Sequence, residues 1–260
     1  MTDTASCASA SPDNRALSAS EARERMVAEV APITGREFVP VRSALGRILA
    51  ADIIAPHDVP AHDNSAMDGY AVNFDSLAAA GETRLSVVGT AFAGNAFSGL
   101  VGQGQAVRIM TGAVLPAGAD TVIVQEVTRV DGHAVIVPAS QKLGQNTRRA
   151  GEDLARGGVA LAAGKRIGPA ELGLIASLGV VEVEVRRRRR GAFFSTGDEL
   201  ASLGTPLAPG QIYDSNRYTL HGLLTRLGAD IIDLGVVPDR PEALEAALTE
   251  AAAVADAIIT

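Results

Sequence analysis

The sequence has few cysteine and aromatic residues and no apolar run long enough to span a membrane. It contains one cysteine, Cys7, no tryptophan, and only 3% aromatic residues in a chain of 260. A single cysteine excludes an internal disulfide or a cysteine metal site, which favours a reducing compartment. The apolar segments Leu174–Val181 and Ala251–Thr260 are interrupted by Gly179 and Asp256, and both fall short of the ~20 residues of a membrane helix. We therefore expect a soluble protein.

Charge and missing motifs exclude further classes. The formal net charge is -7 and the isoelectric point is about 5.2, which argues against nucleic acid as a partner for the whole surface. No Walker sequence and no G-x-S-x-G elbow occurs, so P-loop hydrolysis and the common esterase arrangement are disfavoured. Residues 1–16 lack the basic and apolar regions of a secretory signal, and we expect them to form a disordered leader.

A helix followed by a β-rich region is predicted next. Ser18 and Glu21 form a capping box at the start of a helix over Leu17–Val30. We expect this helix, residues 17–32, to pack on a later α/β domain. Between Phe38 and Val137, short β-rich runs alternate with glycine and proline and show no helical period, which predicts a small antiparallel β domain.

The domain limits follow from these patterns. Asp131-Gly132 predicts a hairpin turn inside the β domain. Pro169–Leu178 predicts a helix with proline at its start and glycine just past its end. We assign residues 61–146 to the β domain, and residues 33–60 and 147–185 to a linking domain.

The last part of the chain predicts an open α/β sheet. It begins with five arginines, Arg186–Arg190, which we interpret as a solvated linker rather than a nucleic-acid patch. The elements that follow are strand Gly191–Ser195, helix Asn216–Leu227, strand Asp230–Leu234, helix Glu242–Val254 and strand Asp256–Ile259. Helical connections of this length require parallel strands. Residues 186–260 therefore predict an open α/β sheet of parallel strands, whose ligand loops follow the strand ends.

Three polar segments of the β and linking regions are candidate site residues, each with a structural alternative. Asp68 would offer oxygen ligands to Mg²⁺ or orient a substrate, or belong to a self-capped turn. Thr111 and its backbone N–H would bind an oxyanion, or end a strand. Asp153, beside Arg148 and Arg149, suits a phosphate and metal site, or an ion-paired turn.

The α/β region offers the most informative loop. Ser195, Thr196, Gly197 and Asp198 follow a predicted parallel strand, where backbone N–H groups can cradle an anion. The carboxylates of Glu199 and Asp239 follow neighbouring strands and would converge on Mg²⁺ for phosphoryl chemistry. The alternative is a capped turn with solvated acids.

Five motifs, taken together and in order, carry a family resemblance. They are DNSAMDGYAV at Asp63–Val72, RIMTGAVLPAGADTVIVQE at Arg108–Glu126, RRAGEDL at Arg148–Leu154, STGDEL at Ser195–Leu200 and QIYDSN at Gln211–Asn216. The chain from about Leu17 to Thr260 resembles the molybdopterin molybdenumtransferase family, called MoeA in bacteria.

The resemblance implies a reaction and its residues. Proteins of this family insert molybdenum from molybdate into adenylylated molybdopterin and release AMP, with Mg²⁺ as cofactor. By matching motifs, Glu199 and Asp239 would act on Mg²⁺ and the pyrophosphate linkage. Asp68, Thr111 and Asp153 would orient molybdate or the substrate.

The resemblance also implies an assembly and a location. The family forms cytoplasmic homodimers with a linking domain, a β domain, a molybdopterin-binding α/β domain and a last β domain, and contact with the molybdopterin adenylyltransferase is expected. Against the family pattern, we expect this chain to be C-terminally truncated, with its α/β domain incomplete. A non-catalytic molybdopterin-binding scaffold, and a nucleotide-cleaving enzyme that uses the same α/β domain, remain as alternatives.

Overall fold

The computed structural model describes residues 17–260, so the expected leader lies outside the described residues. Its helices are α1 (Ala19–Glu29), α2 (Pro169–Ser177), α3 (Ser215–Arg226) and α4 (Pro241–Val254). Its strands are β1 (Arg36–Pro40), β2 (Ile53–Ile54), β3 (Asn64–Ser65), β4 (Gly69–Val72), β5 (Thr83–Ala91), β6 (Gln105–Ile109), β7 (Thr121–Val124), β8 (Arg129–Asp131), β9 (Ala134–Val137), β10 (Thr147–Arg148), β11 (Val159–Leu161), β12 (Glu182–Arg186), β13 (Arg190–Thr196), β14 (Leu200–Ala201), β15 (Ile212–Tyr213), β16 (Asp230–Val237) and β17 (Ala257–Ile259). None of the four helices in this part of the chain has the length and apolar character that a membrane crossing requires.

The described chain divides into two compact units. Residues 38–185 form one unit, and residues 17–37 with 186–260 form the other. The finer division into linking, β and α/β domains stays a prediction.

A six-stranded sheet dominates the first unit, in the order β7-β4-β6-β5-β9-β8. Four of its five neighbouring pairs are antiparallel, but β5 and β6 run parallel. The prediction of a purely antiparallel domain is therefore wrong at this pair. Residues 92–104 between the two strands form a loop of about a dozen residues, enough to carry the chain back to the same end of the sheet.

Both faces of the central strand are buried. Tyr70 and Val72 of β4 pack in one apolar cluster, and Ala71 packs in a second. Successive side chains of a strand point to opposite faces, so the two clusters lie on either side of the sheet. The predicted hairpin at Gly132 joins β8 to β9 with a positive φ of 61°. A 3-10 turn at Gln125–Val127 separates β7 from β8.

Short strand pairs make up the rest of this unit. They are β1 with β12, β2 with β11, and β3 with β10. Their shared core contains Leu49, Ile167, Ile175 and Val185. The predicted helix α2 begins at Pro169 as expected.

The second unit contains a parallel sheet in the order β16-β13-β17. Both pairings are parallel, as the alternation of strands and helices predicted. The helices α3 and α4 join successive strands and contact the sheet. The three strand ends that carry candidate ligand loops therefore point to one edge.

The arginine run connects β12 to β13, and Arg188, Arg189 and Arg190 are exposed, but Arg187 is ion-paired. Arg186 ends β12 and Arg190 begins β13. The Arg187 guanidinium donates to both carboxylate oxygens of Asp256 at 2.6 Å, and the Arg190 backbone N–H donates to the same carboxylate at 2.8 Å. These bonds lower the pKa of Asp256, chiefly through the Arg187 side chain. The run thus fixes the start of β17.

Helix α1 has the predicted capping box. The Ser18 hydroxyl accepts from the Glu21 N–H, and the Glu21 carboxylate accepts from the Ser18 N–H. No residue of the helix is buried, and Met26 and Val27 are more than half exposed. Packing of α1 on the α/β domain stays a prediction.

Candidate functional site

The predicted site residues fall into the two units. Asp68, Thr111 and Asp153 belong to residues 38–185, whereas Ser195–Glu199 and Asp239 belong to the other unit.

Asp68 and Thr111, predicted from different motifs, are in direct contact. Gly69 of β4 pairs with Ile109 of β6, which places Asp68 beside the turn that follows β6. The backbone N–H and the hydroxyl of Thr111 each donate to Asp68 Oδ1 at 2.7 Å. These bonds, the backbone one first, hold the pKa of Asp68 below its usual range. The carboxylate therefore stays ionised near neutral pH.

The contact between Asp68 and Thr111 determines which of their hydrogen-bonding groups remain available to a ligand. Both donors of Thr111 are already used by Asp68. An oxyanion would have to break that contact to use them, because a hydroxyl carries one hydrogen. The free groups are acceptors, and among the described residues Asp68 Oδ2 has no hydrogen-bond donor. The arrangement suits a cation or a ligand N–H or O–H.

Arg108 is a neighbouring charge that the sequence reasoning did not assign. Its guanidinium lies 5.1 Å from the centre of the Tyr70 ring, its partner across β4 and β6. It also donates to the Gly69 carbonyl at 3.4 Å and to the Gln125 side chain. Its charge contributes to the lowered pKa of Asp68. The sequence signal that could have identified Arg108 is the alternation of side chains between the two faces of the strand in the motif Arg108-Ile109-Met110.

The turn that contains Asp153 is ion-paired. Arg148 Nε donates to Glu152 Oε1 at 2.6 Å, and Arg148 Nη2 donates to Asp153 Oδ1 at 2.5 Å. The Arg148 side chain is the largest cause of the lowered pKa of Glu152. Side chains here are 38–52% exposed, so the arrangement is the exposed ion-paired turn left open above. A phosphate would compete with these carboxylates for Arg148.

The α/β unit contains a cleft of about 430 Å³ at the carboxyl end of its sheet. Its position agrees with the rule that open parallel sheets bind ligands beyond their strand ends. It is lined by Phe194, Ser195, Thr196, Glu199, Leu200, Ile212, Asp214, Asn216, Thr219, Leu220, Ile259 and Thr260. The lining combines hydroxyls, an amide, two carboxylates and an apolar wall.

The predicted loop contributes three of these residues. Ser195, Thr196 and Glu199 line the cleft. Gly197 has a φ of 139°, and an added Cβ there would lie 2.7 Å from Glu199 Cδ. The Glu199 side chain therefore folds over a position that requires glycine. Asp198 lies in the same loop but does not line the cleft.

Asp239 lies at the same edge of the sheet without lining the cleft. Thr196 of β13 and Val237 of β16 are register partners, and Asp239 follows two residues later as an exposed residue. No described hydrogen bond or ion pair joins it to Glu199. Within residues 17–260 no group of three or more histidine, cysteine, aspartate or glutamate side chains could hold a metal. A cation here would have at most two carboxylate ligands.

Asp214 is the site residue that the sequence reasoning missed. It lines the cleft, although only 5% of its surface is exposed, and it precedes α3 as its N-cap. The short parallel pair β14 and β15 positions it, because the Ile212 N–H donates to the Glu199 carbonyl at 2.9 Å. The sequence signal that could have identified Asp214 is an aspartate just before a helix start in QIYDSN, but the same pattern is typical of an ordinary helix N-cap.

Two known protein families match this chain, each over a different segment. Residues 17–179 match the family described as "MoeA N-terminal region (domain I and II)". Residues 192–260 match the "Probable molybdopterin binding domain". The cleft lies within the second matched segment.

Individual relatives agree with the family matches. A molybdopterin molybdenumtransferase of Haemophilus influenzae is 44% identical over 245 residues, which is 94% of this chain and 60% of that protein. One from Nostoc is 41% identical over 86% of this chain and 52% of its own length. The chain thus spans between half and two thirds of the length of these relatives.

Solved structures show the same fold. The molybdopterin biosynthesis MoeA protein of Pyrococcus horikoshii superimposes with a TM-score of 0.85 at 31% identity, covering 92% of this chain and 64% of that one. A second structure of that protein gives 0.79 at 34% identity, over 90% and 61%. Since the N-terminal family region alone spans more than half of the 260 residues, the chain belongs to the MoeA family.

Proposed function

We propose that the protein acts in molybdenum cofactor biosynthesis, inserting molybdate into adenylylated molybdopterin with release of AMP in a Mg²⁺-dependent reaction. The observation that carries the proposal is the cleft at the carboxyl edge of the parallel sheet, within the segment that matches a molybdopterin-binding domain. The names of the relatives support the reaction class.

In this proposal the loop Ser195–Asp198 binds phosphate oxygens. Hydroxyls and backbone N–H groups at a strand end are suitable donors for an anion. Cleavage of the pyrophosphate linkage adds water to one phosphorus and breaks its bond to the bridging oxygen, which leaves AMP and a pterin that carries the other phosphate. The loop orients the linkage for that attack.

Glu199 and Asp239 are the residues proposed to hold Mg²⁺. Glu199 lines the cleft and Asp239 follows β16 at the same edge of the sheet, and Mg²⁺ is commonly held by one or two carboxylates together with waters and phosphates. When bound, the ion would neutralise charge on the phosphates.

Asp68, Thr111 and Asp153 are proposed to orient the substrate or molybdate. The contact of Thr111 with Asp68 supports a role for the pair as an acceptor of ligand N–H or O–H groups. A homodimer, contact with the molybdopterin adenylyltransferase and a cytoplasmic location complete the proposal, on the strength of the family resemblance and the single cysteine.

The test is an AMP-release assay with the complete gene product that includes these 260 residues, and with the Haemophilus influenzae relative as comparator. Each protein is incubated with adenylylated molybdopterin, molybdate and Mg²⁺, and AMP and protein-bound molybdenum are measured. We expect AMP release that depends on molybdate and Mg²⁺. Substrate binding without AMP release, when the comparator is active, would contradict the proposal and support the scaffold alternative.

A further inference from the structure

Asp214 is a buried carboxylate with one unused oxygen. Its residue surface is 5% exposed. Oδ1 accepts the backbone N–H of Arg217 at 3.1 Å and so caps helix α3. Oδ2 is buried and has no hydrogen-bond partner among the described residues. An N-cap uses a single oxygen, so capping explains only half of this side chain.

A buried carboxylate oxygen without a partner is unfavourable. Leaving a buried polar group unpaired costs roughly 1–3 kcal/mol, and more when it is charged. Most such groups in folded proteins are paired, so an exception calls for an explanation. Because Asp214 lines the cleft, a group that enters the cleft can supply the missing partner.

The neighbours of Asp214 favour a cation over an anion. Glu199 lines the same cleft, and the pairing of β14 with β15 holds the two segments side by side, with Leu200 opposite Ile212 and Ala201 opposite Tyr213. Two carboxylates in one cleft repel an anion and attract a positive charge. Oxygen ligands from two carboxylates, with waters or phosphates, form a usual Mg²⁺ environment.

We propose that Asp214, together with Glu199, binds a divalent cation in this cleft. The inference rests on the proposed function only in placing the ion where the pyrophosphate linkage would bind. It assigns the second protein ligand to Asp214, which lines the cleft, rather than to the exposed Asp239. Asp214 would then combine two roles, capping α3 through Oδ1 and binding the ion through Oδ2.

The experiment is a Mn²⁺ titration of the intact chain followed by electron paramagnetic resonance, with Mn²⁺ as the only added ligand. Asp214→Asn is the informative variant because asparagine caps a helix as well as aspartate does. Asp214→Ser keeps a cap and removes the second oxygen. Asp230→Asn is the matched control, since it removes one exposed charge at the opposite end of β16.

We expect one Mn²⁺ site that Mg²⁺ displaces. Asp214→Asn, Asp214→Ser and Glu199→Gln should each weaken it at least ~10-fold, the lower range that loss of even an outer-shell partner costs a metal site. Asp230→Asn should leave it unchanged, and Asp239→Asn should weaken it less than Asp214→Asn does. Circular dichroism melts should show Asp214→Asn folded like the parent.

Three results would overturn the inference: no Mn²⁺ site on the parent chain, parent-like affinity in folded Asp214→Asn, or loss of the site in Asp239→Asn alone. The outcome is separate from that of the proposed function. An intact Mn²⁺ site, together with no AMP release by the complete gene product, would contradict the function and leave the cation site standing.

Discussion

Gly69 of the motif Asp63–Val72 should be the least replaceable glycine of the β-rich unit. It pairs with Ile109 on one side and with Val124 on the other. An added Cβ would overlap the carbonyl oxygen of Ile123 and lie 2.8 Å from its carbonyl carbon. These are backbone atoms of β7, so no side-chain rotation can relieve the contact.

The size of the effect follows from this geometry. Carbon atoms in contact prefer about 3.5–4.0 Å, so the strands must separate by roughly 0.7–1.2 Å to accept the methyl group. Overpacking of a core costs about 1–3 kcal/mol, and we expect Gly69→Ala near the upper end because backbone must move. In a unit of this size that loss corresponds to a fall in melting temperature of about 6–12 °C.

The measurement is a circular dichroism melt, because the chain has no tryptophan for fluorescence. Gly173→Ala is the matched control: Gly173 lies within α2, and nothing stands within 4 Å of an added Cβ. It should be stabilised by about 0.4–1 kcal/mol. Hydrogen exchange should show the Gly69→Ala loss in β4 and β7. A loss below ~1 kcal/mol, or equal losses in both variants, would refute the reasoning.

Three further predictions follow. Thr111→Val should raise the pKa of Asp68, because both hydrogen bonds from Thr111 lower that pKa and valine keeps only the backbone donor. Thr111→Ser keeps both donors and should leave the pKa unchanged, and titration of the ¹³C carboxyl signal by NMR measures both variants. Glu199→Gln should slow AMP release more than it weakens substrate binding, and the reverse would make Glu199 a binding group. Arg187→Ala should lower the urea midpoint of unfolding at pH 7, and the difference from the parent should become smaller as the pH falls below ~4. The reason is that the pKa of Asp256 is depressed in the folded state, so the stability that its ion pair contributes is lost when the carboxylate is protonated. A difference that does not change with pH would contradict this.

Helices and the α/β sheet were predictable because their signals are local. The start of α1 was visible in Ser18 and Glu21, and those of α2 and α4 in a proline. A helical connection between strands then required parallel pairing. The parallel direction of the strands and the ligand edge of the sheet followed from that requirement, whereas the strand order β16-β13-β17 did not.

Strand direction and long-range contacts were not predictable in the same way. Whether β5 and β6 run parallel depends on the path of residues 92–104, which no periodicity encodes. Arg187 and Asp256 are 69 residues apart, so no local pattern could show that one arginine of the run forms an ion pair. The two-residue strands β14 and β15 are too short to show a period of two.

For the candidate site, the sequence by itself determined which residue types carry chemistry and that the segment Ser195–Glu199 lies at the carboxyl end of a parallel strand. Only the tertiary structure decided how they are used. Asp68 occupies both donors of Thr111, and Asp214 is buried in the cleft with one oxygen unpaired. The physical reason is that a hydrogen bond between distant residues, and the burial of a carboxylate, exist only once the strands that carry them have paired.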